Sequence, residues 1–168
     1  MGSAFILESH DLCDGEMLKS EQVLSSEYGF GCQGGNRSPH LAWRGAPEGT
    51  QSYAVTCYDP DAPTGSGFWH WFVVNIPASV TTLPAGAGDP VLGLLPSDAA
   101  EIRTDFGRPG YGGPCPPPGS NVHRYIFTVH ALNVPKLQLP AGCTAAMAGF
   151  FVSGATLAKA SLIGLFRR

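Results

Sequence analysis

Apolar and polar positions alternate most clearly in VHRYIFTVHAL (122–132). On an extended backbone His123, Tyr125, Phe127 and Val129 point to one side, and Arg124, Ile126, Thr128 and His130 to the other. This segment reads as a strand with two different faces. QSYAVTCY (51–58) carries alternating β-formers and reads the same way. HWFVVNIP (70–77) is almost wholly apolar, β-branched or aromatic, which predicts a central strand buried on both faces and ended by Pro77. SAFILES (3–9) fits a first strand, and AAEIRTDFG (99–107) has room for a short one. ASVTTLPAGAGDP (78–90) reads as a loop. RPGYGGPCPPPGSN (108–121) is too rich in Pro and Gly for regular structure and reads as a long stiff loop. Thr144 is placed to cap a helix over AAMAGFFVSGA, near residues 144–154. TLAKASLIGLFRR (156–168) suits a helix by composition and a strand by alternation.

Composition sharpens this picture. The chain has 168 residues, 43% hydrophobic and 14% charged, which suits one folded domain over 1–168. The 22 Gly and 15 Pro are scattered without a period, as expected for many turns between short strands. A net charge of −3 with no basic stripe argues against nucleic-acid binding. No apolar run approaches the roughly 20 residues of a membrane span, and the N-terminus lacks the pattern of a secretion signal, so no stable membrane anchor is expected. The five cysteines are odd in number and include no C-x-x-C pair. Reduced thiols and a cytoplasmic protein are the expectation.

Several motifs fall away. GFGCQG (29–34) matches G-x-G-x-x-G, but Pro39 follows where a helix should open. DFG (105–107) has no kinase companions, and no G-x-S-x-G elbow supports a serine hydrolase. DPDAP (59–63) lacks the later ligands of a calcium loop. Its simplest reading is a solvated turn whose aspartates bond nearby backbone N–H groups. In extended backbone Asp59 and Asp61 share a side, and His70 stands between two tryptophans at the mouth of an apolar strand. His123 and Tyr125 share one face of theirs. If these strands are neighbours, two His, one Tyr and two Asp converge at one strand end, a plausible binding pocket. Two His and a carboxylate can also hold zinc or iron, but the His are far apart in sequence, and no metal or cofactor is expected.

DPDAP, GFWHW running into FVVNIP, GYGGPCPPPGSNVHRYIFTVHAL (110–132) and NRSPHLAW (36–43) together resemble the phosphatidylethanolamine-binding protein family. The likeness is closer to its bacterial and archaeal branch, often called Raf-kinase-inhibitor-like proteins. It implies a mainly β fold, a large antiparallel sheet packed on a smaller one with few short helices, and makes 156–168 a strand. It also implies a small surface pocket for phosphate or another anion, formed by Asp59, Asp61, Pro63, His70, Pro116, Pro117, His123 and Tyr125. The histidines and tyrosine would donate to the anion, the aspartates would orient and charge the histidines, and the prolines would stiffen the rim. The implied function is non-enzymatic binding of a small phosphate-bearing ligand or a phosphorylated partner. The rivals are a kinase or protease inhibitor that does not depend on the pocket, and a hydrolase using the Asp/His cluster. A homodimer enters only because bacterial relatives are often dimeric. The chain departs from the family pattern in three ways. A single histidine follows Trp69, Cys115 stands where a small residue is usual, and Pro118 replaces a common basic residue.

Overall fold

The computed structural model describes residues 3–168. The described residues form eight strands in two antiparallel sheets. The smaller has the order β1 (Ile6–Glu8), β2 (Leu41–Arg44), β5 (Thr82–Leu83). The larger has the order β6 (Ala100–Glu101), β4 (Phe68–Pro77), β3 (Ser52–Asp59), β7 (His123–Leu132), β8 (Thr156–Phe166). The predicted fold class is therefore the observed one, and β3, β4 and β7 match their expected segments. β5 lies inside the stretch expected to be a loop. It is only two residues long and exists through its pairing with β2, Leu41 opposite Leu83.

The faces of the large sheet explain the sequence pattern. Tyr53, Val55, Trp71, Val73, Phe127 and Val129 point inward, against Leu7, Leu41 and Trp43 of the small sheet. Burying Trp71 or Phe127 at this level is worth about 1.5–3 kcal/mol each. On the opposite face Ala54, Phe72, Val74 and Leu132 are covered by α1 (Ala145–Ala155) through Ala148 and Val152. β4 thus meets apolar cover on both sides, as its unbroken run of apolar residues required. The Thr144 side chain accepts from the Met147 amide at 3.1 Å and caps α1 as expected. The helix passes directly into β8. That strand pairs with β7 from Thr156 opposite Leu132 to Phe166 opposite His123. Residues 14–18 run beside the far edge of β8, with the Leu18 amide donating to Leu165 O and the Leu165 amide to Glu16 O. This covers part of an edge that would otherwise be open.

One expectation about the cysteines is corrected. Cys32 and Cys115 are joined in a disulfide across 83 residues of sequence, while Cys13, Cys57 and Cys143 are free. Nothing local marks the pair, because it is the fold that carries the two segments together. No described helix is long and apolar enough to cross a membrane.

Candidate functional site

Antiparallel pairing sets the location. β3 runs against both β4 and β7, so the end of β3 meets the beginnings of its two neighbours. Asp59 lies opposite Phe68, and Tyr58 opposite both Trp69 and Ile126. Asp59, His70, His123 and Tyr125 are brought to one end of the sheet by register alone.

Two loops then close the site. The Gly/Pro segment passes over β4 and is fixed reciprocally to His70. The Gly112 amide donates to His70 O at 2.9 Å, and the His70 Nδ1–H donates to Gly112 O at 2.7 Å. Asn36, with a positive φ of 50°, holds the same loop: its Oδ1 accepts from Gly113 N at 2.8 Å and its Nδ2 donates to Tyr111 O at 3.1 Å. Glycine is required at 113, where a Cβ would stand 2.0 Å from Gln22 O. The Leu24 amide donates to Pro114 O at 3.0 Å, and the Cys32–Cys115 bond completes the seam.

The result is a cavity of about 190 Å³. Of the eight residues expected at a pocket, seven line it: Asp59, Pro63, His70, Pro116, Pro117, His123 and Tyr125. Asp61 does not. Its carboxylate grips Arg124 in a fork, Oδ2 accepting from Nε and Oδ1 from Nη2, both at 2.9 Å. It faces a neighbouring hollow beyond Pro63. The role of orienting a histidine belongs to Asp59 alone. Its Oδ2 accepts from His123 Nδ1 at 2.7 Å with both side chains buried, and its Oδ1 accepts from the Asp61 amide at 2.8 Å. One carboxylate of DPDAP thus makes both the turn bond and the bond to the histidine, one on each oxygen.

The rest of the wall is apolar and was not anticipated. Leu24, Phe30, Phe68 and Phe106 line the cavity. Phe106 meets Phe68, Phe30 and the His70 ring edge-on, at centroid distances of 4.8, 5.9 and 5.5 Å. Phe30 comes from GFGCQG and Phe106 from DFG, two stretches that read as chance matches to other motifs. No one-dimensional pattern marks them as neighbours. No lysine or arginine is among the described residues lining the cavity. Arg168 lies outside it. That guanidinium donates to Pro116 O at 2.7 Å and to Phe30 O at 3.2 Å, and so braces the rim.

Protonation follows from these contacts. Burial pushes the His70 pKa down, against the pull of the Gly112 carbonyl and Asp59. A carbonyl oxygen only accepts, so the proton of the neutral ring sits on Nδ1 and Nε2 carries the lone pair. Burial, with Asp59 adding to it, raises the Tyr125 pKa and keeps it a phenol. The Arg124 fork holds Asp61 below its ordinary value. The described residues contain no cluster of three or more His, Cys, Asp or Glu suited to a metal ion.

The comparisons agree with this architecture. The chain is 50% identical over 160 residues to YbhB of Escherichia coli K12, covering 95% of this chain and 98% of that protein. It is 48% identical over 164 residues to YbcL of the same organism, covering 98% and 88%. The crystal structure of E. coli YbcL, described as a new member of the mammalian PEBP family, superposes with a TM-score of 0.94 over 99% of each chain at 46% identity. CT736 of Chlamydia trachomatis, described as a putative PEBP homolog, gives 0.78 over 98% of each chain at 28% identity. The sequence model described as Phosphatidylethanolamine-binding protein matches residues 9–167, and the chain belongs to that family.

Proposed function

We propose that the cavity binds a small phosphate-type anion in a form that still carries a proton. The observation that carries this reading is the buried Asp59–His123 pair at 2.7 Å, set in the same wall as a neutral His70 and a neutral Tyr125. Tyr125 offers an O–H. His123, held through Nδ1, offers Nε2 as a second donor when that nitrogen is protonated. His70 offers a lone pair, which receives the P–O–H of a monoanion and would repel the oxygens of a dianion. With Asp59 offsetting the positive charge of a doubly protonated His123, and no lysine or arginine among the described residues of the wall, a single negative charge suits the site better than two. The prolines hold the rim in place before binding, which lowers the ordering cost. The phenylalanines leave room for an apolar or uncharged group beside the phosphate.

Inorganic phosphate, free phosphoethanolamine and a phosphoserine peptide share this chemistry, and calorimetric titration with each distinguishes the source. The expected result is binding at millimolar concentration or below for at least one of them. His123→Ala should abolish it and Asp61→Asn should keep it. Affinity should fall as pH rises through about 6, where phosphate monoesters lose their second proton. Absence of heat for every phosphate compound at millimolar levels refutes the reading.

A further inference from the structure

Phe30 forms part of the cavity wall, yet its segment is weakly held. Its side chain is 57% exposed, and its ring meets Phe106 only edge-on. Gly29 and Gly31 flank it with φ of 77° and 91°, a region where glycine moves freely. Among the described residues the amides of 30–33 donate to no protein acceptor, whereas Gly29 and Gly34 on either side are bonded to Ser26 O and Leu24 O. Besides the packing of Cys32 on Val23 and Leu24, two ties hold this stretch. One is the Arg168 guanidinium on Phe30 O, and the other is the Cys32–Cys115 bond. The two sulfurs are not equivalent. Cys32 is buried at 6% exposure, while Cys115 is half-buried and lines the cavity.

We propose that the Cys32–Cys115 disulfide is a cleavable strap over the pocket, that a small thiolate opens it by attack on the Cys115 sulfur from the cavity side, and that opening releases the Phe30 segment and weakens ligand binding. The thiolate RS⁻ forms an S–S bond to Cys115 as the Cys32–Cys115 bond breaks. Cys32 leaves as a thiolate and takes a proton from water. A second RS⁻ attacks the mixed disulfide, giving RSSR and the Cys115 thiolate, which is protonated in turn. The protein disulfide gains two electrons and two small thiols are oxidised. Displacement requires the attacking sulfur to approach in line with the breaking bond, so the accessible sulfur is the one attacked. The redox poise of the compartment would thereby set how firmly the site is capped. The position of attack stands on the geometry of the strap alone, while the effect on binding rests on the phosphate reading of the cavity.

The test uses the full chain, oxidised and then treated with glutathione. Acid quenching and peptide mass mapping should place the transient adduct on Cys115. With the glutathione disulfide released in the reaction kept reduced enzymatically, the free thiols Cys13, Cys57 and Cys143 take up no glutathione. Hydrogen exchange should accelerate in residues 29–33 on reduction. Inorganic phosphate, titrated by calorimetry, should bind about fivefold more weakly to the reduced protein, as expected when a bulky side chain must be ordered again on binding. The Cys32→Ser/Cys115→Ser variant should match the reduced protein and ignore reductant. An adduct on Cys32, or unchanged exchange in 29–33, overturns the strap. Equal phosphate affinity in the two states overturns its control of binding. If the oxidised protein takes none of the three phosphate compounds, the ligand reading fails, and the adduct and exchange results still decide the strap.

Discussion

The reciprocal pair between His70 and Gly112 can be dissected with two substitutions. His70→Asn places an amide N–H where Nδ1–H stood and keeps a donor for the Gly112 carbonyl. His70→Gln places its amide nearer the position of Nε2 and leaves that carbonyl without a partner. Both variants lose the ring contacts to Phe68, Phe106 and Tyr125 at centroid distances of 5.0, 5.5 and 5.1 Å, so packing losses largely cancel in the comparison. The difference between them is then the cost of a buried carbonyl stripped of its donor, about 1–3 kcal/mol. For a domain of this size that corresponds to a gap in Tm of at least about 2–4 °C. Urea unfolding measures it directly, with the Asn variant the more stable. The pH profile carries a second signature. The folded pKa of His70 is depressed, so the unfolded chain binds a proton more readily than the native one. The contribution of the neutral ring is complete above about pH 6.5 and is lost as pH falls through the folded value. His70→Asn should therefore have a flatter acid limb than the wild type. Equal stability of the Asn and Gln variants, or nitrogen NMR showing the proton on Nε2, would refute the reasoning.

Two further perturbations probe the frame around the site. The Trp71 indole N–H donates to Glu101 Oε2 at 3.0 Å, and burial raises the Glu101 pKa to about 7. A raised carboxylate pKa favours the native state below the unfolded value, and that advantage is lost as pH rises through 7. After discounting for partial exposure, Glu101→Gln should stabilise the protein by about 1–2 kcal/mol at pH 8 and by nothing near pH 4, as read by denaturant titration. Gly113→Ala would drive a methyl group into Gln22 O and to 2.8 Å from Leu24 N, both backbone atoms. A loss of at least about 3 kcal/mol is expected in thermal or urea unfolding. An alanine variant as stable as wild type would show that the 110–114 loop does not pack on residues 22–24.

Legibility in the sequence followed the range of the interactions. β7 was readable because its two faces meet different surroundings, and β4 because both of its faces are covered. β2 and β5 were not assigned as strands, since four and two residues hold too little pattern and their pairing is non-local. β8 illustrates tertiary override. Its alanine- and lysine-containing stretch suits a helix, yet ten paired residues along β7 make it a strand, which the family resemblance and not composition supplied. At the site, His70, His123, Tyr125 and Asp59 were legible because polar groups at the ends of apolar strands stand out. Asp61 lies outside the cavity wall, because two-residue spacing cannot tell which carboxylate reaches a histidine and which finds an arginine. Phe30, Phe106 and the disulfide partners were invisible because each owes its place to a distant segment.

That dispersal has a kinetic consequence. The cavity draws on Leu24–Phe30, Asp59–His70, Phe106–Pro117 and His123–Tyr125, and its floor is complete only when β7 has paired with β3. A chain that has emerged as far as β4 holds half of the polar groups but lacks Phe106, the proline rim and β7. Sheets dominated by such distant pairings close slowly, and a species without β7 lacks His123 and Tyr125. A ligand at a hundred times its Kd would stabilise the native state by about 2.7 kcal/mol. Capture of the ligand during refolding would mark the moment at which the whole sheet is finished.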